Sequence, residues 1–208
     1  MRRVSLVALG TLLAVGCSIG KNQSTGSAPV DLLIAGTLTA NGGQTTPIFN
    51  SGGLLSDVQT GGGVFDDYAR FALRVQEKNA DYTPAKTVDQ NDVVVESYTV
   101  HYYRTDGHAA QGVDVPYDIS GAVSGVVILS SHPTTNVDIE IVRHVAKLEP
   151  PLRTLVNGGG EDLIKVIAQV TIYGHTVSGV RVSATTGVDI AFGDFADPKA
   201  SATPTPSP

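Results

Sequence analysis

The sequence predicts an all-β protein built as an antiparallel β-sandwich. Three observations favour this class. Apolar and polar residues alternate along the middle of the chain, the alternating segments are rich in β-branched residues, and Gly, Asn, Asp and Pro separate them. The 208 residues include 23 Gly and 11 Pro but no Trp, which is a turn-rich composition. An α/β protein would instead show helical patterns between its strands.

The predicted strands follow the alternation, because successive side chains of a strand point to opposite faces. In chain order they are residues 30–35, 69–76, 93–104, 122–129, 137–141, 164–172, 180–182 and 188–192. We therefore expect seven to nine strands in two packed sheets.

The longest interruption is the Gly-rich segment from Thr39 to Gly63. A structureless loop of that length is uncommon in a compact domain, so we expect Leu54, Leu55 and Val58 to dock onto the sandwich. Ligands most often contact loops carried by a rigid scaffold. The candidate contact loops are residues 39–63, 79–92 and 105–116.

One segment has helical spacing. Ile141, Val145 and Leu148 would share one face of a helix, and Pro150 follows them. The pattern predicts either a short helix or the end of a strand.

The first seventeen residues have the order of an export signal. Arg2 and Arg3 precede the apolar run 4–16, and small residues lead into Cys17, the single cysteine of the chain. The apolar run is shorter than the roughly 20 residues that cross a bilayer. We therefore expect a signal peptide that is removed after residue 16.

Ala14-Val15-Gly16-Cys17 resembles the lipobox of bacterial lipoproteins, although that family usually has Leu where Ala14 stands. The resemblance implies a diacylglycerol on Cys17, cleavage before it and acylation of the new amine, so that the membrane is a partner through this anchor. If the host is Gram-negative, Ser18, in place of the Asp that favours inner-membrane retention, implies the outer membrane; the resemblance leaves the side of the membrane open. The alternative is an ordinary signal peptide that leaves Cys17 as a free thiol.

The chain thus divides into four predicted parts. Residues 1–16 are the lipoprotein signal peptide, and residues 17–29, small and polar, are a flexible tether. Residues 30–195 form the sandwich domain. Residues 196–208 are rich in Pro, Ser and Thr and are predicted to be disordered.

Residues 98–107, Tyr-Thr-Val-His-Tyr-Tyr-Arg-Thr-Asp-Gly, resemble the third strand and following turn of fibronectin type III domains, where Tyr-x-Val-x-Tyr is common. The resemblance implies an immunoglobulin-like β-sandwich. It covers a small part of a domain that is longer than that family and has no Trp on its second strand. The wider sequence also resembles uncharacterised bacterial secreted proteins, which implies no activity.

The same segment carries a candidate surface patch, formed by His101, Tyr103, Asp106 and His108. His101 and Tyr103 face away from the other two tyrosines of the strand, because neighbours alternate. If that face is exposed, it offers an aromatic patch for a protein or glycan partner. If the segment 39–63 covers it, the rings pack, which is the preferred interpretation.

Several functions are disfavoured. The signatures GxSxG, HExxH, CxxC, the Walker loop and GxGxxG are absent, so we predict no enzyme and no cofactor. The net charge is −6, and cleavage before Cys17 leaves 12 basic against 20 acidic residues, a formal charge of −8. An acidic chain is a poor partner for nucleic acid, because phosphate binding needs clustered Lys and Arg.

We predict no metal site, but two kinds of metal site remain as alternatives. His101 and His108 flank the Asp106-Gly107 turn and, with Asp106, could approach one metal ion. The simpler interpretation places them apart, on a strand and a loop. Calcium is conceivable at the acidic pairs, but an Asp-x-Asp-x-Asp series is missing and solvated carboxylates explain them. These pairs are Asp66 with Asp67, Asp89 with Asp92, and Asp194 with Asp197.

The predicted function is therefore a lipid-anchored cell-envelope protein that acts as a binding or structural module. The alternative is an accessory subunit of an envelope enzyme, or a metal-binding lipoprotein, that uses loop histidines and carboxylates. Convergence of two or more histidines with carboxylates in one pocket would favour the alternative.

Overall fold

The computed structural model describes residues 28–43, 46–84, 87–158 and 162–195. About half of these residues lie in eight β-strands, and two four-residue helical segments follow the sixth strand. The strands are β1 (Val30–Ala40), β2 (Leu54–Asp57), β3 (Asp67–Glu77), β4 (Val93–Tyr103), β5 (Ile119–Ile128), β6 (Thr135–Val142), β7 (Ile164–Thr176) and β8 (Arg181–Gly193). The helical segments are α1 (His144–Lys147) and a 3₁₀ turn (Leu152–Leu155). The predicted signal peptide, most of the tether and the predicted tail lie outside the described residues.

The strands form two sheets. The three-stranded sheet has the order β1-β3-β6, and the five-stranded sheet has the order β2-β8-β7-β4-β5. All neighbours are antiparallel except β2, which pairs in parallel with β8. The all-β prediction is confirmed, whereas the purely antiparallel arrangement is wrong for this one pair.

β2 was expected to be part of a docked loop and is instead an edge strand. Its Leu54 and the following Val58 are buried as expected, but Leu55 faces solvent. Gly53 precedes it, where an added Cβ would lie 3.0 Å from the carbonyl oxygen of Asp189 on β8. The absence of a side chain therefore lets the Gly-rich segment approach β8 closely enough to pair.

Both sheets contribute to one hydrophobic core, and every strand supplies buried side chains to it. The period-2 alternation is clearest on β4, where Tyr98, Val100 and Tyr102 are buried and His101 is exposed. The two short C-terminal strand predictions, 180–182 and 188–192, belong to the single strand β8. Alternation therefore assigns the faces of the strands correctly, although it misses some of their ends.

A β-bulge lies where β3 and β6 begin to pair. Asp67 pairs with Val142 and Tyr68 pairs with Glu140, so the register skips Ile141. The carbonyl oxygen of Ile141 accepts a hydrogen bond from the buried hydroxyl of Tyr102 at 2.5 Å. This bond ties the five-stranded sheet to the three-stranded one.

The predicted helical face is wrong. Ile141 stays in β6, the helix is four residues long, and Val145 and Leu148 are about half exposed. The residue that α1 buries is Lys147, at 2% exposure. Lys147 is buried, and Val145 and Leu148 are exposed, because Lys147 meets a buried carboxylate on β3, Asp67. The ion pair offsets the cost of burying the ammonium group.

Candidate functional site

The face of the five-stranded sheet that points away from the core, called the outer face below, is the candidate site. On it, His101 and Tyr103 of β4 lie beside Gln169 and Ile167 of β7, their partners in the antiparallel register. The alternation of β4 places both rings on this face, since Tyr102 between them is buried.

His101 and Tyr103 are stacked, with ring centroids 6.2 Å apart and planes inclined by 22°. The imidazole is half exposed, so the interpretation that the segment 39–63 covers it is wrong. Its Nδ1 lies 2.8 Å from Oδ2 of Asp118. A carboxylate only accepts hydrogen bonds, so Nδ1 carries the proton and Nε2 is left to a ligand or water.

A cleft of about 360 Å³ adjoins this pair on the outer face. It is lined by Gly53, Leu54, Leu55, Thr105, Lys165, Val166, Ile167, Asp189, Ile190 and Ala191. Ile167 belongs to both features, because it lines the cleft and lies directly across from Tyr103. The stacked rings and the cleft are therefore one continuous surface.

The cleft combines an apolar floor with charged groups at its sides. Leu55, on the edge strand β2, is 58% exposed, and Ile167, on β7 at the other side of β8, is half-buried. Lys165 and Asp189 add one charge of each sign among the lining residues. Small-ligand sites commonly have a mostly apolar lining with a few polar groups, and their volumes begin near 300 Å³. The geometry suits a ligand with one apolar face and polar edges.

The other two residues of the predicted patch, Asp106 and His108, lie in the segment between β4 and β5 and have partners there. Asp106 accepts hydrogen bonds from Arg104 and, at 3.1 Å, from the backbone N–H of His108. The bond from Arg104 holds the pKa of Asp106 below its usual range. The Nδ1 of His108 faces Oδ1 of Asp114 at 3.9 Å. The side chains of Arg104 and Asp106 thus stabilise the turn, and the two histidines face different carboxylates, His101 facing Asp118 and His108 facing Asp114.

The histidines of the described residues are dispersed. Apart from His101 and His108, His144 lies 2.7 Å from Asp66 and His175 lies 3.1 Å from Glu96. Within the ranges that the structure covers, no group of three or more His, Cys, Asp or Glu side chains is arranged to hold a metal ion. The convergence that would favour the enzyme or metal alternative is therefore not found there.

A buried charged pair, Asp67 with Lys147, was not predicted from the sequence. Oδ2 of Asp67 lies 2.9 Å from Nζ of Lys147, and both side chains are 1% exposed. Ser56 donates to the same oxygen at 2.6 Å, and the Gly42 N–H donates to Oδ1 at 2.9 Å. Burial raises the pKa of Asp67, although the charge of Lys147 opposes this. The expectation that Asp67 is a solvated loop carboxylate is wrong.

The remaining acidic pairs are structural where they are described. Asp92 is buried and accepts the backbone N–H groups of Ser130 and Asp89, each at 2.7 Å. Asp89 accepts the hydroxyl of Tyr82, and this bond raises the pKa of Tyr82 to about 12. Asp194 accepts the backbone N–H of Asn157.

Asp197 and Cys17 lie outside the described residues. Neither described helical segment, of four residues each, has the length or apolarity to cross a membrane.

Comparison with family models, with curated proteins and with solved structures finds no match to this chain.

Proposed function

We propose that this chain is a lipid-anchored cell-envelope protein that binds a protein or glycan partner through the outer face. The observation that carries the proposal is the continuous surface formed by the His101–Tyr103 stack, Ile167 and the cleft. A β-scaffold holds these groups in place before a ligand arrives, so little conformational entropy is lost on binding.

The chemistry of the surface indicates how a partner would be held. The apolar face of a sugar ring or of a side chain can pack on Tyr103 and Ile167. Lys165 and Asp189 can donate to and accept from polar groups at the edge of such a ligand. Nε2 of His101 adds a further hydrogen-bonding position beside the ring of Tyr103.

We propose that the architecture is an immunoglobulin-like β-sandwich, with β2 as an added parallel edge strand. The support is that eight described strands in two sheets enclose one core and that Tyr98, Val100 and Tyr102 of β4 lie on the core side. Sandwiches of this class use loops and faces for recognition while the core sets stability.

The anchor proposal depends on the lipobox resemblance at Cys17. Several acyl chains on one residue exceed what stable anchoring needs, since each buried CH₂ contributes about 0.8 kcal/mol. The predicted tether ends at residue 27, because Ala28 is buried in the core and the Pro29 carbonyl accepts the Lys78 N–H. A tether of that length would hold the domain about 20 Å from the membrane on average. At that distance the outer face can reach partners on the same surface, and the Ser18 position favours the outer membrane.

The binding proposal is tested with a photoreactive diazirine amino acid placed at Tyr103 in intact cells. We expect a defined adduct on irradiation, and we expect Ile167→Asp to reduce its yield at least tenfold, because a charge on the cleft floor must be desolvated on binding. The matched control places the same group at Arg74, exposed on the three-stranded sheet. Equal adducts from positions 103 and 74, or an adduct insensitive to Ile167→Asp, would rule out the outer face.

A further inference from the structure

The buried contact between Lys147 and Asp67 joins two segments that are far apart in the chain. Asp67 is the first residue of β3, whereas Lys147 is the last residue of α1, after β6. Their reactive groups are 2.9 Å apart and shielded from water, with each side chain 1% exposed. The other ion pairs described above are at the surface, where water solvates both charges.

Two further donors are fixed on the same carboxyl group. The Ser56 hydroxyl on β2 reaches Oδ2, and the backbone N–H of Gly42 reaches Oδ1. Gly42 can approach so closely because it has no side chain, since a Cβ there would lie 2.2 Å from the carbonyl oxygen of Asp66. The Lys147 amine, its target carbon and a donor for each carboxyl oxygen are thus held together by four separate segments.

We propose that Lys147 and Asp67 are joined by an isopeptide bond between Nζ and Cγ. A proton passes from Nζ to Oδ2 along their hydrogen bond, which leaves a neutral amine and a carboxylic acid. The nitrogen lone pair attacks Cγ, and the negative charge that develops on Oδ1 faces the Gly42 N–H. The Cγ–Oδ2 bond then breaks, and Oδ2 leaves as water with a second proton from the nitrogen. One amide forms and one water is released, so no oxidant or co-reactant is required.

The surroundings favour this condensation over a lasting ion pair. Burial raises the pKa of Asp67, so the interior favours the neutral acid from which the reaction starts. Ser56 donates to the oxygen that departs, which assists its loss. The fixed contact removes the entropic cost of bringing amine and carboxyl together. The product is neutral, so the desolvation penalty of two buried charges disappears.

The bond would also give this chain a covalent cross-link that its cysteine content cannot supply, because it has one cysteine and therefore no internal disulfide. Closing the loop between residues 67 and 147 would restrict the unfolded chain, as a disulfide does. The inference is independent of the proposed ligand and of the anchor at Cys17.

The test is peptide mapping of the full-length protein purified from cells. Trypsin does not cleave after an acylated lysine, so we expect residues 144–153 to stay uncut at Lys147 and to be joined to residues 22–70. The joined peptide should weigh one water less than the sum of its parts, and fragmentation should place the bond at Lys147 and Asp67. In Lys147→Arg we expect residues 148–153 to be released as a separate peptide.

The wild-type digest decides the proposal even if Lys147→Arg fails to fold. Unmodified 22–70 together with free 148–153 from folded wild-type protein would overturn it. Loss of water confined to residues 105–143 would overturn it as well, because that loss would come from cyclisation at Asp106-Gly107.

Discussion

Replacing Tyr102 by phenylalanine removes one oxygen atom from the centre of the molecule and leaves the buried ring in place. The hydroxyl is the donor to the Ile141 carbonyl at 2.5 Å, and Tyr102 is fully buried. Since Ile141 is skipped in the pairing of β6 with β3, it has no paired residue on that strand. The substitution therefore leaves a buried acceptor without its hydroxyl donor and creates almost no cavity.

The expected loss of stability follows from that geometry. An unsatisfied buried acceptor costs about 1–3 kcal/mol, and we take about 2 kcal/mol as the expected decrease in the free energy of unfolding. For a domain of this size that decrease corresponds to a fall in Tm of about 4–8 °C. Urea unfolding followed by circular dichroism measures the free energy, and a thermal scan measures Tm.

The matched control is Tyr173→Phe, since that hydroxyl is on the partly exposed face of β7 and lies 3.5 Å from the Thr99 hydroxyl. We expect this control to change stability by less than about 0.5 kcal/mol. Equal stabilities of Tyr102→Phe and Tyr173→Phe would refute the assignment of the Tyr102 hydroxyl as a tie between the sheets.

Three further outcomes are expected. Gly42→Ala should lower the unfolding free energy by more than about 2 kcal/mol in urea titrations, because its Cβ would collide with the backbone of Asp66. Burial raises the pKa of the Glu77 carboxyl above its ordinary 4.5, so the folded chain binds the Glu77 proton more tightly than the unfolded chain does. The free energy of unfolding therefore falls as the pH rises from 4.5 through the raised pKa. Glu77→Gln should flatten the dependence of unfolding free energy on pH above 4.5. Arg70→Ala should cost less than about 1 kcal/mol despite its 2.6 Å bond to Asp138, because both side chains are more than a third exposed.

Alternation made the long strands and their faces predictable from the sequence. On β4 the residues Tyr98, Val100 and Tyr102 alternate with polar or less buried neighbours, and on β7 Val166, Ala168, Val170 and Ile172 do the same. The structure buries all seven of these side chains. β2 escaped prediction because four residues in a Gly-rich segment carry too little periodicity, and its pairing depends on a close approach to β8. Lys147 escaped because a lysine in an apolar helical pattern is expected on the solvated side.

The strand face that carries the candidate site was predictable from the sequence, whereas its exposure and the neighbouring cleft were not. The sequence shows that His101 and Tyr103 share a face, whereas their exposure depends on where the distant segment 39–63 lies. The cleft joins Leu55 to Asp189, residues brought together by the parallel pairing of β2 with β8. Such a cleft is formed by residues that are distant in the sequence, so the local pattern of apolar and polar residues does not predict it.

The claim that a lipid on Cys17 anchors the protein to a membrane is tested most directly by labelling growing cells with palmitate. The label is then measured on the wild-type protein and on Cys17→Ala. The label should be present on wild type, which should sediment with membranes after a high-salt wash. Cys17→Ala should carry no label and should appear in the soluble fraction. A wild-type protein without label, together with a Cys17→Ala protein that still sediments with membranes, would contradict the lipoprotein assignment.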